Sequence, residues 1–324
     1  MLVEDGGGYD DHAVLLSENC EGMSIIRDRK TLLSRVLGAA IVLLIFGFML
    51  RTLYLSWEEI VAYDWHLDYL ALITAFSLML SAAAFYAYLW KLVLERLGTP
   101  LSYRKSYRIF FLSQLGRYLP GKVWGILGLV YLSQKEGVSK VISGASVTLQ
   151  LLLQVISGIV VFAVTLPFWQ HRDSLPGLNL LLLLLPAGLI LLHPAFVNRG
   201  LNLALRAAGQ AQIELSWGYG YLLSQLGLWA VFWLVNGVAQ YFLIRSIFPS
   251  PLPQVPVLAG IFAVAWVAGF LSLVTPSGLG VMEGTLVFLL SFYFPVHVST
   301  IVALWTRLAK TAVDLVCAGT AWRL

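Results

Sequence analysis

The chain has 324 residues, of which 59% are hydrophobic and only 12% are charged. A soluble domain carries about 25% charged residues, so this composition excludes an ordinary soluble protein and predicts an all-α, polytopic integral membrane protein. The net charge of +4 is spread between apolar runs and forms no basic patch, which argues against a nucleic-acid partner.

The first residues differ in composition from the rest of the chain. Residues 1–22 contain six acidic side chains, no Lys or Arg, and the run Gly6-Gly7-Gly8. Such a segment cannot bury enough apolar surface to fold. We therefore expect a disordered acidic tail and a basic juxtamembrane segment over residues 1–30, followed by a single transmembrane domain over residues 31–322. Met23 is an alternative start of the chain.

Six apolar stretches are predicted as full membrane spans, since a spanning helix needs about 20 apolar residues. In chain order they cover residues 35–55, 69–92, 141–168, 178–192, 217–244 and 298–321. Residues 194–215 are amphipathic and predict a helix that lies at the membrane interface.

Two further apolar segments are interrupted by glycine and proline. Residues 109–133 break at Pro120 and Gly121, and residues 257–294 break at Pro276, Gly278 and Gly280. Backbone groups freed at such breaks cannot face lipid, so they must be buried or line a cavity. We expect two re-entrant hairpins in an inverted repeat, an arrangement typical of transporter sites. The alternative is that both breaks are kinks in ordinary spans.

The positions of the basic residues predict the topology. If both broken segments are re-entrant, fourteen Lys and Arg residues fall on one side of the membrane and three on the other, while four lie at membrane depth. An excess of this kind marks the cytoplasmic side. Both termini are therefore expected in the cytoplasm.

The first break carries two cations, Arg117 and Lys122. Two cations beside the amino end of a half-helix favour an anionic group such as phosphate. We therefore predict that Arg117 and Lys122 bind substrate, next to the helix break at Pro120 and Gly121. The alternative is that both side chains snorkel to head groups at the basic face.

The second break places Glu283 at the start of a half-helix, and an ionisable residue at membrane depth is a functional hypothesis with an expected partner. Arg307, Lys310 and Asp314 share one face of the last span, since they are spaced i, i+3 and i+7. We predict that Glu283 pairs with Arg307 or Lys310 and that all three contribute to substrate binding. A purely structural ion pair is the alternative.

Four amides, Gln150, Gln154, Asn236 and Gln240, lie in pairs on two of the spans. We interpret them as hydrogen-bonding contacts between helices, with cavity lining as the alternative. The sequence contains no nucleophile elbow, phosphate loop, dinucleotide fingerprint or paired metal ligands. We therefore expect no catalytic residue, no cofactor and no metal site.

The two breaks resemble the hallmark segments of the transmembrane region of lysylphosphatidylglycerol synthetases, whose stand-alone members are flippase-like proteins. The resembling stretches are LGRYLPGKVW at 115–124 and PSGLGVMEG at 276–284, and the last span with Arg307 also fits. The resemblance implies a protein that moves, or helps to move, a lipid or lipid-linked molecule between leaflets, in a bacterial plasma membrane.

Because this chain ends at Leu324, we expect that it does not aminoacylate lipids. The partner expected from the cations is a membrane lipid with an anionic head group. A non-transporting scaffold or accessory subunit of an envelope-lipid pathway is the alternative function. The sequence leaves the oligomeric state open.

Overall fold

The computed structural model describes residues 67–118, 124–170, 183–248, 253–272 and 280–324, together with short helical pieces between residues 47 and 62. Within these ranges the chain is helical and contains no strand. The expected disordered tail and most of the first predicted span lie outside the described residues.

The helices occur in chain order as follows. They are α1 (Trp57–Ala62), α2 (Tyr69–Arg96), α3 (Tyr103–Gln114), α4 (Trp124–Lys135), α5 (Lys140–Thr165), α6 (Leu184–Leu191), α7 (Pro194–Ala207), α8 (Tyr219–Arg245), α9 (Val255–Leu271), α10 (Val281–Leu290) and α11 (Val296–Arg323). Short 3-10 turns, Leu115–Tyr118 and Leu166–Phe168, extend α3 and α5.

Polar side chains cap the start of three of these helices. Asp68 Oδ1 accepts a hydrogen bond from the Ala71 amide at 2.9 Å, and Ser102 and Ser139 cap α3 and α5 in the same way. Such caps satisfy amides that have no partner inside the helix. They fix where α2, α3 and α5 start.

Three helices among the described residues, α2, α5 with its 3-10 extension, and α8, are long and apolar enough to cross a membrane. Helices α6 and α7 pass the same criterion only together, and they meet at an angle of 72°. The break at His193–Pro194 separates the predicted span 178–192 from the predicted interfacial segment, although residues 171–182 lie outside the described part.

Helices α3 and α4 fold back on one another across the first break. A Cβ added at Gly116 would lie 2.8 Å from the carbonyl carbon of Trp124, and one at Gly128 would lie 3.6 Å from Cα of Ser113. The end of α3 thus lies next to the start of α4, and residues further along α4 lie next to earlier residues of α3. This order of contacts defines an antiparallel hairpin. We call residues 103–135 hairpin 1.

Helices α9 and α10 pack together in the same manner across the second break. A Cβ at Gly269 would lie 2.9 Å from Cβ of Met282. Gly280 directly precedes α10 and has a φ of +83°, a conformation that glycine adopts without strain. We call residues 255–290 hairpin 2.

The last helix, α11, contacts both hairpins. It packs against α10 of hairpin 2 and against α3 of hairpin 1, and it also touches α2 and α8. Helix α9 is held on its other side by α5 and α8, where Gly260 and Gly237 allow close approach to Thr165 and Ala259. This packing brings both hairpins and the last helix around one central region.

Candidate functional site

A polar cavity of about 200 Å³ lies in this central region. Four helices contribute its polar lining, which consists of Gln114, Gln154, Asn236, Lys310 and Asp314. Aromatic side chains form much of the rest, namely Tyr86, Phe110, Phe111, Phe232, Trp233, Phe262 and Trp266. The cavity therefore combines charged, amide and aromatic groups inside an otherwise apolar helical protein.

The cation of the cavity is Lys310, which lies halfway along α11. Its Nζ is 5.7 Å from the centroid of the Phe262 ring on hairpin 2, a distance at which the ring attracts the ammonium group. Asp314, one turn further along α11, is also in the cavity wall and is 9% exposed. Both charged side chains thus face a space large enough for a small polar group.

The four amides divide between the two expected roles. Gln154 and Asn236 line the cavity, whereas Gln240 accepts a hydrogen bond from the Thr306 hydroxyl at 2.9 Å and joins α8 to α11. Gln150 donates to the backbone carbonyl of Tyr86 at 3.3 Å. Packing accounts for Gln240. Gln154 and Asn236 line this cavity, and Gln150 lines a smaller neighbouring cavity as well as making its hydrogen bond.

Glu283 is buried in an ion pair with α11. Arg307 Nη1 donates to Glu283 Oε1 at 2.9 Å, and the Gly280 amide donates to Glu283 Oε2 at 2.8 Å. The Glu283 side chain is 2% exposed and that of Arg307 is 29% exposed. The carboxylate therefore caps α10 and ties hairpin 2 to the last helix at once, as a first-turn acid at a helix N-terminus is favoured to do.

The structure separates the predicted site residues into two groups. Glu283 pairs with Arg307, and these two are not among the described residues that line the cavity, whereas Lys310 is. Gly280 directly precedes α10 and does not line the cavity. The predicted role of these residues in substrate binding stays a prediction.

The predicted residues of the first break are described only in part. Arg117 belongs to the 3-10 turn Leu115–Tyr118, which packs against α4 and α11. The Arg117 side chain lies outside the described part of the chain, as do Pro120, Gly121 and Lys122, and so do Pro276 and Gly278 at the second break. Their assignment to the site stays a prediction.

Several cavity residues were not predicted as site residues from the sequence. Tyr86, Trp233 and Trp266 lie within long apolar stretches of the sequence, so no local pattern distinguishes them. Asp314 had a signal, because it shares a helix face with Arg307 and Lys310. Gln114 had a weaker one, since it directly precedes the first break.

Long apolar helices, two antiparallel hairpins and charged groups buried among them define an integral membrane protein. The sequence matches the family described as the lysylphosphatidylglycerol synthase TM region over residues 35–318. The chain belongs to this family, which associates it with lipid pathways. No curated protein matches it.

Proposed function

We propose that this protein translocates an anionic lipid or lipid-linked molecule between the two leaflets of a membrane, or assists that translocation. The observation that carries the proposal is the cavity with Lys310 and Asp314 in its wall. Charged groups at membrane depth are costly, so they are retained mainly where they serve a function. A head group crossing the hydrocarbon region needs polar contacts of this kind.

The position of the cavity along the helices supports the proposal. Gln154 and Lys310 each lie near the middle of α5 and α11, so a bilayer spanned by these helices would have the cavity near its centre. Transporter sites commonly lie near the midplane, between two repeats with broken helices. Hairpins 1 and 2 each contribute residues to this cavity.

In this proposal Lys310 is the principal cation for the head group, and the Glu283–Arg307 pair holds hairpin 2 and α11 in register. Arg117 and Lys122 would supply further positive charge from the first break. The step moves the lipid without covalent chemistry, so the protein acts as a transporter rather than an enzyme.

The same proposal includes the topology inferred from the basic residues. Six full spans and two re-entrant hairpins would put both termini in the cytoplasm, with a bacterial plasma membrane as the location. The back-folding of α3 on α4 and of α9 on α10 is the arrangement that such hairpins require.

Reconstituted vesicles provide the test. Vesicles are formed with a trace of phosphatidylglycerol that carries a fluorescent head-group label in both leaflets, and dithionite, which cannot cross the bilayer, bleaches only the label in the outer leaflet. Transport is measured as the fraction of label that becomes accessible over time. We expect Lys310→Met to slow transport on the order of tenfold, the effect of about 1.4 kcal/mol at the transition state.

Lys140→Met is the matched control, because Lys140 is exposed at the start of α5. It removes the same charge outside the cavity and should leave the rate unchanged. If the native protein moves no lipid, or if both variants behave alike, the translocation proposal is wrong and a scaffold role is favoured.

A further inference from the structure

A second cavity, of about 170 Å³, lies between α4, α5 and the end of α9. Its lining includes Ile126, Leu129, Val147 and Phe270, and all the residues that line it in the described part of the chain are uncharged. The first cavity, by contrast, has both an ammonium and a carboxylate group in its wall. The two neighbouring spaces therefore differ in charge, although Tyr86, Gln114 and Gln150 contribute polar groups to the second.

The two cavities share one wall. The same four residues line both spaces, namely Tyr86, Phe110, Gln114 and Leu151. Because the same side chains line both cavities, only one layer of side chains separates the two spaces. A ligand that is larger than either cavity could place one part in each of them, and it would then pass between the side chains of this wall.

Tyr86 is the best-anchored member of the wall. Its hydroxyl donates to Gln154 Oε1 at 2.7 Å, on the side of the polar cavity. Its ring contacts the rings of Phe110 and Trp229, with centroids 4.8 and 5.3 Å away. Tyr86 is thus held with its polar tip towards the charged cavity and its apolar body in the wall.

The second cavity has an apolar rim. Ile126 is 42% exposed and Phe270 is 39% exposed, whereas Leu129 is only 3% exposed. In a bilayer, the exposed parts of Ile126 and Phe270 would touch lipid hydrocarbon, with Leu129 deeper inside. A chain that enters past this rim meets mainly apolar side chains, with Tyr86, Gln114 and Gln150 as the polar members of the lining.

We propose that the second cavity binds the part of a lipid's hydrocarbon chain nearest the head group, with Tyr86 as the boundary between chain and head group. This inference rests on the proposed function. A hydrocarbon chain that moves from the bilayer into this mainly apolar cavity stays largely out of water, so the hydrophobic effect opposes the move only weakly. The second cavity therefore lets a head group reach Lys310 without drawing its chain past charged groups.

Photolabelling in vesicles tests the site directly. The full chain is reconstituted in phosphatidylglycerol and phosphatidylcholine, with a trace of phosphatidylglycerol that carries a diazirine next to the acyl ester. After illumination, mass spectrometry identifies the labelled residues. We expect adducts on Leu129, whose burial keeps it from bulk lipid, and far fewer from a lipid with its diazirine at the methyl end.

Two exposed neighbours on α4 provide matched variants. Ile126→Trp should narrow the rim and reduce the Leu129 adduct by roughly tenfold, as expected for about 1.4 kcal/mol of lost binding. Leu127 is 53% exposed and does not line the cavity, so Leu127→Trp should leave the Leu129 adduct at the native level. Both substitutions are at exposed positions, where the larger side chain fits.

Absence of the Leu129 adduct in a native chain that is labelled on Leu127 overturns the proposal. An adduct that is unchanged in Ile126→Trp, or equally strong with the methyl-end probe, also overturns it. The readout is labelling rather than transport. If Leu129 is labelled but the protein moves no lipid, the hydrocarbon-chain site is supported and only the translocation proposal is refuted.

Discussion

The two partners of the Glu283–Arg307 ion pair are expected to contribute unequally to the stability of the protein. Removing one partner of a buried pair costs about 3–5 kcal/mol, because the other charge is left unpaired. Here the two partners differ in burial, with side-chain exposures of 2% for Glu283 and 29% for Arg307. The cost should therefore depend on which partner is removed.

Arg307→Met leaves a buried carboxylate with the Gly280 amide as its remaining hydrogen-bond donor among the contacts described above, and we expect a loss of about 3 kcal/mol. Glu283→Gln leaves a cation that is partly exposed and can reach solvent or head groups, so the expected loss falls to about 1 kcal/mol. The new amide oxygen can still accept from Gly280. In the double variant neither charge of the pair remains, so we expect it to be more stable than Arg307→Met. Its loss of stability should be smaller than the sum of the two single losses by about 2 kcal/mol.

Unfolding in mixed micelles, followed by tryptophan fluorescence, measures these differences. Lys105 and Glu136 provide the control pair, because Lys105 Nζ lies 2.8 Å from Glu136 Oε2 with side chains 55% and 27% exposed. Removing either of them should cost no more than about 1 kcal/mol. Equal losses for Arg307→Met and Glu283→Gln, or additive effects in the double variant, would refute the reasoning from burial.

Three other positions test the backbone, the cavity wall and the topology. Gly280→Ala should destabilise the protein by about 1–2 kcal/mol in the same unfolding assay, because Gly280 has a φ of +83°. Tyr86→Phe should cost about 1 kcal/mol in that assay, since Gln154 loses a hydrogen-bond donor. In a cysteine-free background, Glu58→Cys should react with an impermeant thiol reagent in intact cells, and Lys140→Cys should react only after lysis. The reverse labelling pattern would contradict the proposed topology.

Hydrophobic pattern and helix-breaking residues were sufficient to predict most of the helices. The spans expected over 69–92, 141–168 and 217–244 appear as α2, α5 with its 3-10 extension, and α8, within a few residues at each end. These predictions succeed because length and apolar content are local properties of the sequence. The re-entrant character of the two hairpins is a relation to the bilayer, which helix packing alone does not test.

The ion pair was predictable for a similar reason. A single carboxylate at a helix start, together with cations on one face of the last span, leaves few possible partners, and the Glu283–Arg307 contact is present. The sequence did not distinguish Arg307 from Lys310 as the partner. The difference comes from the angle at which α11 packs on α10, a tertiary property.

The cavity wall was the least predictable part of the site. Tyr86 and Trp266 are aromatic residues in apolar helices, and their position in the wall depends on how α2 and α9 pack around the centre. Many aromatic residues in this chain have the same local surroundings. Only the three-dimensional arrangement of the helices selects these two.

The short connection between α10 and α11 has a consequence for how the site can be altered. Only residues 291–295 separate the helix that carries Glu283 from the helix that carries Arg307 and Lys310. One residue inserted at the start of α11 would turn the rest of that helix by about 100° relative to hairpin 2. Arg307 would leave its carboxylate and Lys310 would leave the cavity in the same step. The rotation of α11 about its own axis thus positions both the Glu283–Arg307 ion pair and the cavity charge of Lys310. An insertion at the start of α11 should therefore disrupt both, whereas most substitutions nearby should disrupt neither.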